Sequence, residues 1–120
     1  MQFMLIMRDD DAAAIERRDG DVATMMAAMG AYNDRLEASG ALVTAVGLDA
    51  PSNGAVVHFG GTPPLVTDGP YGEIKELFNG FWIVEAPDLA AATALAADAP
   101  LAAGTHLEVR RVHGDADLPD

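Results

Sequence analysis

The chain has no cysteine, so disulfides, thiolate nucleophiles and cysteine-based zinc or iron centres are excluded. It is also poor in cations: seven Lys and Arg stand against nineteen Asp and Glu, giving a net charge of −12. No basic cluster exceeds the pairs Arg17-Arg18 and Arg110-Arg111, and binding a phosphate backbone needs concentrated positive charge. Nucleic acid is therefore not expected as a direct partner, and the acidic excess serves mainly to keep an Ala-rich surface in solution. Long hydrophobic runs are missing too. No stretch approaches the ~20 apolar residues of a membrane helix. The opening Met1 to Arg8 lacks the basic leader, longer apolar region and small-residue cleavage site of a signal peptide. A soluble, cytoplasmic protein with no membrane partner is expected. His58, His106 and His113 fall at no metal-ligand spacing, and no dinucleotide fingerprint or nucleophile motif is present. Neither metal nor cofactor is expected.

What remains is 120 residues, half of them apolar, enough for one domain that buries about two-thirds of its unfolded surface without staples. We place that domain at 1–113 and read 114–120 as a flexible acidic tail. Residues Phe3 to Met7 are apolar on both alternating faces, as in a central strand covered on two sides. Val22, Met25, Met29, Tyr32 and Leu36 recur at three- and four-residue steps, one stripe of a helix that Asp21 can cap and Gly40 can stop. Leu42 to Leu48 is a strand, Ala55 to Phe59 and Leu65 to Thr67 form a hairpin, and Asn79-Gly80 precedes a second doubly apolar strand, Phe81 to Val84. Asp88 can cap a helix carrying Leu89, Ala92, Leu95 and Ala96, which ends before Pro100. In the last strand, Thr105 to Val112, Leu107 and Val109 face one way while His106, Glu108 and Arg110 face the other.

The order β-α-β, hairpin, β-α-β is that of an α+β, ferredoxin-like fold with an inserted β-hairpin. Two helices cover only one face of its sheet. The second apolar face predicts a homodimer in which two sheets meet.

Thr67-Asp68-Gly69-Pro70-Tyr71-Gly72-Glu73-Ile74-Lys75-Glu76 concentrates a turn, an aromatic ring and ionisable groups between strands. With Val66 before it, Gly80-Phe81 after it and the closing Leu107-Glu108-Val109-Arg110, it resembles the YCII-related family, in particular the branch with the DGPF motif. The resemblance runs from the first strand to Val112. It implies a dimeric α+β barrel of ferredoxin-like subunits. It also implies acid-base chemistry suspected from a His/Asp pair, and a link to extracytoplasmic-function sigma factors. Tyr71 stands where that branch has Phe, and Gly72 and Ile74 where it has small and hydroxyl residues. Helix one offers Met25, Met26 and Met29 in place of the His, leaving Asp98 without that partner.

Asp68 is the candidate catalytic group: beside a rigid Gly-Pro turn it can serve as base or ligand contact, or it can merely close an Asx-turn. Tyr71, Glu73 and Lys75 are candidate ligand-binding residues on the same rim, with a solvated charged face as the alternative for the last two. Glu108 and Arg110 are either an interfacial ion pair or the polar lining of a ligand cavity. Trp82 reads as core or dimer interface, with a ligand platform as the alternative, and Met25 and Met29 as adaptable packing, with the lining of a promiscuous apolar pocket as theirs. Two functions fit: a homodimer binding a small molecule in a cleft near the DGP turn, either as a binder alone or as an enzyme with acid-base chemistry at Asp68, or a non-catalytic regulatory or interaction module associated with a sigma factor.

Overall fold

The computed structural model describes residues 1–9, 22–69 and 77–114. In order along the chain these form β1 (Gln2–Asp9), α1 (Val22–Ala38), β2 (Leu42–Gly47), a single 3-10 turn at Pro51–Asn53, β3 (Ala55–His58), β4 (Leu65–Asp68), β5 (Leu77–Glu85), α2 (Leu89–Ala97) and β6 (Thr105–Arg111). A four-stranded sheet has the order β2-β5-β1-β6, and β3 and β4 make a separate two-stranded ribbon. Every pairing in both is antiparallel. Because sequence neighbours are separated by an intervening strand, this is the split βαβ arrangement expected from the element order.

The alternation in the sequence decides which face each residue takes. Phe3, Leu5 and Met7 of β1 align with Val84, Trp82 and Gly80 of β5 on the face beneath the helices. Tyr32 and Leu36 of α1 and Ala92 and Ala96 of α2 bury against that face. Leu107 and Val109 of β6 pack at its margin while His106, Glu108 and Arg110 point away, as their alternation predicts. Burying a large aliphatic or aromatic side chain is worth about 1.5–3 kcal/mol, so this one-sided layer supplies the main cohesion of the domain.

Both helices end as their local sequences dictate. At the C-terminus of α1, Gly40 turns left-handed at φ 78°. Its N–H donates to the Glu37 carbonyl at 3.0 Å and the Ala41 N–H to the Leu36 carbonyl at 2.9 Å. This is a Schellman closure, with Leu36 and Ala41 both buried beneath it. At the start of α2 the Asp88 carboxylate accepts the Ala91 N–H at 2.8 Å. The cap expected at Asp21 lies outside the described residues, as do residues 115–120 of the expected tail.

Most strand ends fall within a residue of the sequence reading, but one boundary differs by several. Strand β5 begins at Leu77 rather than after Asn79-Gly80. The register with β1 shifts there: Met7 faces Gly80 but Arg8 faces Phe78, leaving Asn79 as an extra, bulged residue. An Asn-Gly pair that resembles a turn is thus accommodated inside a strand. Gly80 is needed for close approach, since a Cβ there would stand 2.6 Å from the Val46 carbonyl oxygen of β2. Gly69 of the Asp-Gly-Pro segment likewise has no left-handed dihedral. Its place is set by proximity: a Cβ would run into the Pro51 carbonyl, and its N–H donates to the Gly54 carbonyl at 3.0 Å.

The sheet face opposite the helices carries Met4, Ile6, Phe81 and Ile83 on its two central strands. The ribbon, for its part, contributes nothing to the core. Val57, Leu65 and Val66 on it are 48%, 62% and 60% exposed, and Phe59 just past the end of β3 is 83% exposed.

Candidate functional site

A cleft of about 140 Å³ opens between α1 and the β2-β5 end of the sheet. Met7, Met29, Asn33, Ala45, Gly80 and Trp82 line it. The absence of a Cβ at Gly80 and the small side chain of Ala45 leave this space, whereas longer side chains on the neighbouring strands fill the rest of the layer. Among the described residues, no ionisable side chain lines the cleft.

Its polar character comes from one pair. The Trp82 indole Nε1–H donates to Asn33 Oδ1 at 2.7 Å. Trp82 is 5% exposed, and a buried indole N–H needs such an acceptor. The ring is fixed from the other side by Tyr32, edge to face at 5.6 Å between centroids and 89° between planes. Tyr32 is anchored in turn, its hydroxyl donating to the Leu95 carbonyl of α2 at 2.7 Å. Burial pushes the Tyr32 phenol above its ordinary value of 10.0, the Asp98 charge adds to the rise, and the Arg35 guanidinium over the ring opposes it. The phenol is therefore a structural donor at neutral pH.

A second, wider and more open groove of about 290 Å³ runs between α2 and β6, lined by alanines, Leu101, Leu107, Val109, Thr93 and Thr105. It offers little to orient a ligand. The Thr93 hydroxyl is already committed to the Leu89 carbonyl at 2.8 Å.

The residues singled out from sequence are placed as follows. Asp68 ends β4 opposite Ala55, exposed and outside both cavities, with no ion pair among the described residues. Tyr71, Glu73 and Lys75 lie outside the described residues. Glu108 and Arg110 do come together, Arg110 Nε standing 3.8 Å from Glu108 Oε2. The closer partner of Glu108 is Arg8, whose Nη2 is 3.2 Å from Oε1. Register explains this: Glu108 lies opposite Ile6, so Arg8 is its diagonal neighbour on the same face. The three side chains are partly exposed, at 42% for Glu108, 35% for Arg8 and 70% for Arg110. Among the described residues no cluster of His, Asp and Glu could hold a metal ion, and no helix is long and apolar enough to cross a membrane.

Sequence reasoning missed Asn33. It sits beside the Met29-Tyr32-Leu36 stripe, and only a polar residue next to an apolar seam marked it; its partner is 49 positions away.

Comparison with known proteins gives one family assignment. The family model of the YCII-related domain matches residues 1–114, so the chain belongs to the YCII-related family. A search of curated proteins found no match.

Proposed function

We propose that this YCII-related chain is a small-molecule-binding protein that acts as a homodimer, its ligand held in the cleft between α1 and β2-β5. The observation that carries this reading is the Asn33–Trp82 pair, a directed polar group set in a cleft otherwise walled by apolar residues and glycine. Ligand sites combine apolar walls with a few placed polar groups in this way. The methionine side chains of Met7 and Met29 can adapt their shape to a bound molecule.

The homodimer rests on the second apolar face of the sheet and on the exposed ribbon. Met4, Ile6, Phe81 and Ile83 form the centre of that face, with Arg8, Glu108 and Arg110 as a charged margin on β6 and the end of β1. An apolar centre with a polar rim is the composition of an interface. An isolated two-stranded ribbon is marginal in water, so Val57, Phe59 and Val66 gain cover if the ribbon lies along a second subunit. The same exposed ribbon supports the alternative reading, an interaction module whose partner is another protein such as a sigma factor.

The test is ligand-observed NMR with a library of ring-sized fragments, repeated on Ala45→Leu, which adds carbon into the cleft beside its cross-strand neighbour Trp82 while leaving the Asn33–Trp82 pair itself unsubstituted. Binding that disappears in the filled variant places ligands in this cleft. Fragments that bind both proteins equally, or none that bind either, would leave the interaction-module reading in possession.

A further inference from the structure

Resting on the small-molecule reading and narrowing it, we propose that the cleft selects an uncharged, ring-sized molecule that presents a hydrogen-bond-accepting oxygen to the side-chain NH2 of Asn33: a cyclic or aromatic ketone, ester or amide.

The direction of the contact follows from the chemistry of the pair. An indole N–H can only donate, so the Asn33 atom 2.7 Å from Trp82 Nε1 has to be the amide oxygen. The rotamer is then fixed, and the two N–H bonds of Nδ2 are held on the other side of the amide. They make no hydrogen bond to any described residue, and no buried side-chain polar atom in the described structure lacks a partner. The NH2 is therefore still open, on a residue that lines the cleft. A group in that state donates to what enters. The molecule must supply an acceptor.

Size and charge narrow the class further. The cleft is about 140 Å³, close to the ~150 Å³ engineered apolar cavity that takes up benzene. One ring with a short substituent fills it. No cation lines it among the described residues, and the chain carries a net charge of −12. A carboxylate would lose its water without gaining a counter-ion, in a field that repels it. A neutral carbonyl meets neither cost.

Three single-ring probes separate these terms: cyclohexanone and methylenecyclohexane, which share one shape and differ in the carbonyl oxygen replaced by CH2, and the larger, charged cyclohexanecarboxylate. Amide and indole signals of the wild-type protein are followed by two-dimensional NMR during titration. Both neutral probes are expected to shift the Trp82 indole signal, but only cyclohexanone should shift the Asn33 NH2 pair. Asn33→Asp keeps an acceptor for Trp82 and removes the donor. It should weaken cyclohexanone about five- to tenfold while changing methylenecyclohexane by less than about twofold. The carboxylate should bind at least about tenfold more weakly than the ketone.

If both neutral probes bind but the Asn33 NH2 signals stay still, or if Asn33→Asp weakens both alike, the proposed class is wrong although the cleft still binds small molecules. Carboxylate binding equal to the ketone overturns the uncharged part. If no probe moves any cleft signal, the small-molecule reading falls and this inference with it. Should Asn33→Asp fail to fold, the wild-type titrations still decide.

Discussion

Tyr32 and Trp82 meet edge to face, 5.6 Å apart at 89°, and through them the two helices and the central strands become one unit. Tyr32 ties its hydroxyl to α2 at Leu95, while Trp82 ties its indole to α1 at Asn33. The aromatic pair thus holds both the core and the wall of the cleft. Because one ring is shared between packing and site, substitutions in this region separate the two roles.

Tyr32→Phe keeps the ring contact and removes the hydroxyl, leaving the Leu95 carbonyl only the longer bond from the Asp98 N–H at 3.3 Å. The expected loss is about 1–2 kcal/mol at neutral pH, read from chemical denaturation. The pH dependence has a definite sign. The folded phenol ionises above 10.0, so the neutral form is favoured in the native state. That contribution is complete below the unfolded value and is lost as pH rises through the raised folded value. Wild type should lose stability above pH 10 more steeply than Tyr32→Phe, and parallel alkaline curves would refute the assignment.

Two glycine substitutions should act in opposite directions. Gly80→Ala places a methyl group 2.6 Å from the Val46 carbonyl oxygen, forcing β2 away from β5 at a cost of about 1–3 kcal/mol. Gly30 lies in the middle of α1, and a methyl group added there would meet nothing within 4 Å. Gly30→Ala should stabilise by about 0.5–1 kcal/mol through helix propensity. Thermal melts of both variants check the pair.

On the open sheet face, Glu108→Ala should cost more than Arg110→Ala, because Arg8 at 3.2 Å is the tighter partner and Arg110 at 3.8 Å is the looser one. For a free subunit each loss stays within about 1 kcal/mol, as for exposed pairs elsewhere. If a second copy covers this face, the penalty of Glu108→Ala grows with protein concentration, since Arg8 is then shut away from water without its counter-ion. Melting temperatures at dilute and concentrated protein distinguish the cases.

Ile83→Asp puts a charge at the centre of the apolar face, away from the core beneath the helices. It should turn a dimer into a folded monomer by sedimentation, with far-UV dichroism unchanged. A wild-type protein that is already monomeric at micromolar concentration would contradict the proposed assembly.

Periodicity made much of this fold legible. The α1 stripe, the Asp88 cap, the Gly40 stop and the alternation of β6 are local signals, and each maps onto one element. The early start of β5 was hidden because Asn79-Gly80 carries turn chemistry, and only pairing with β1 shows that Asn79 is a bulge. The place of Gly69 depends on the Pro51 carbonyl and Gly54 coming back to meet it. Arg8 as the nearer partner of Glu108 follows from strand register, which spacing along one strand cannot supply. The cleft was the least legible, since Asn33 and Trp82 belong to different elements and neither sits in a motif.

Trp82 is the one tryptophan in the chain and lines the cleft, so its fluorescence reports directly on occupancy. Titration of wild type and Ala45→Leu with cyclohexanone, against a free tryptophan analogue as the collisional reference, is the most direct test of a small-molecule site here. The account predicts a saturable change in wild-type emission beyond that of the reference, lost in the filled variant. A response that rises linearly like the reference, or one that saturates identically in Ala45→Leu, would contradict it.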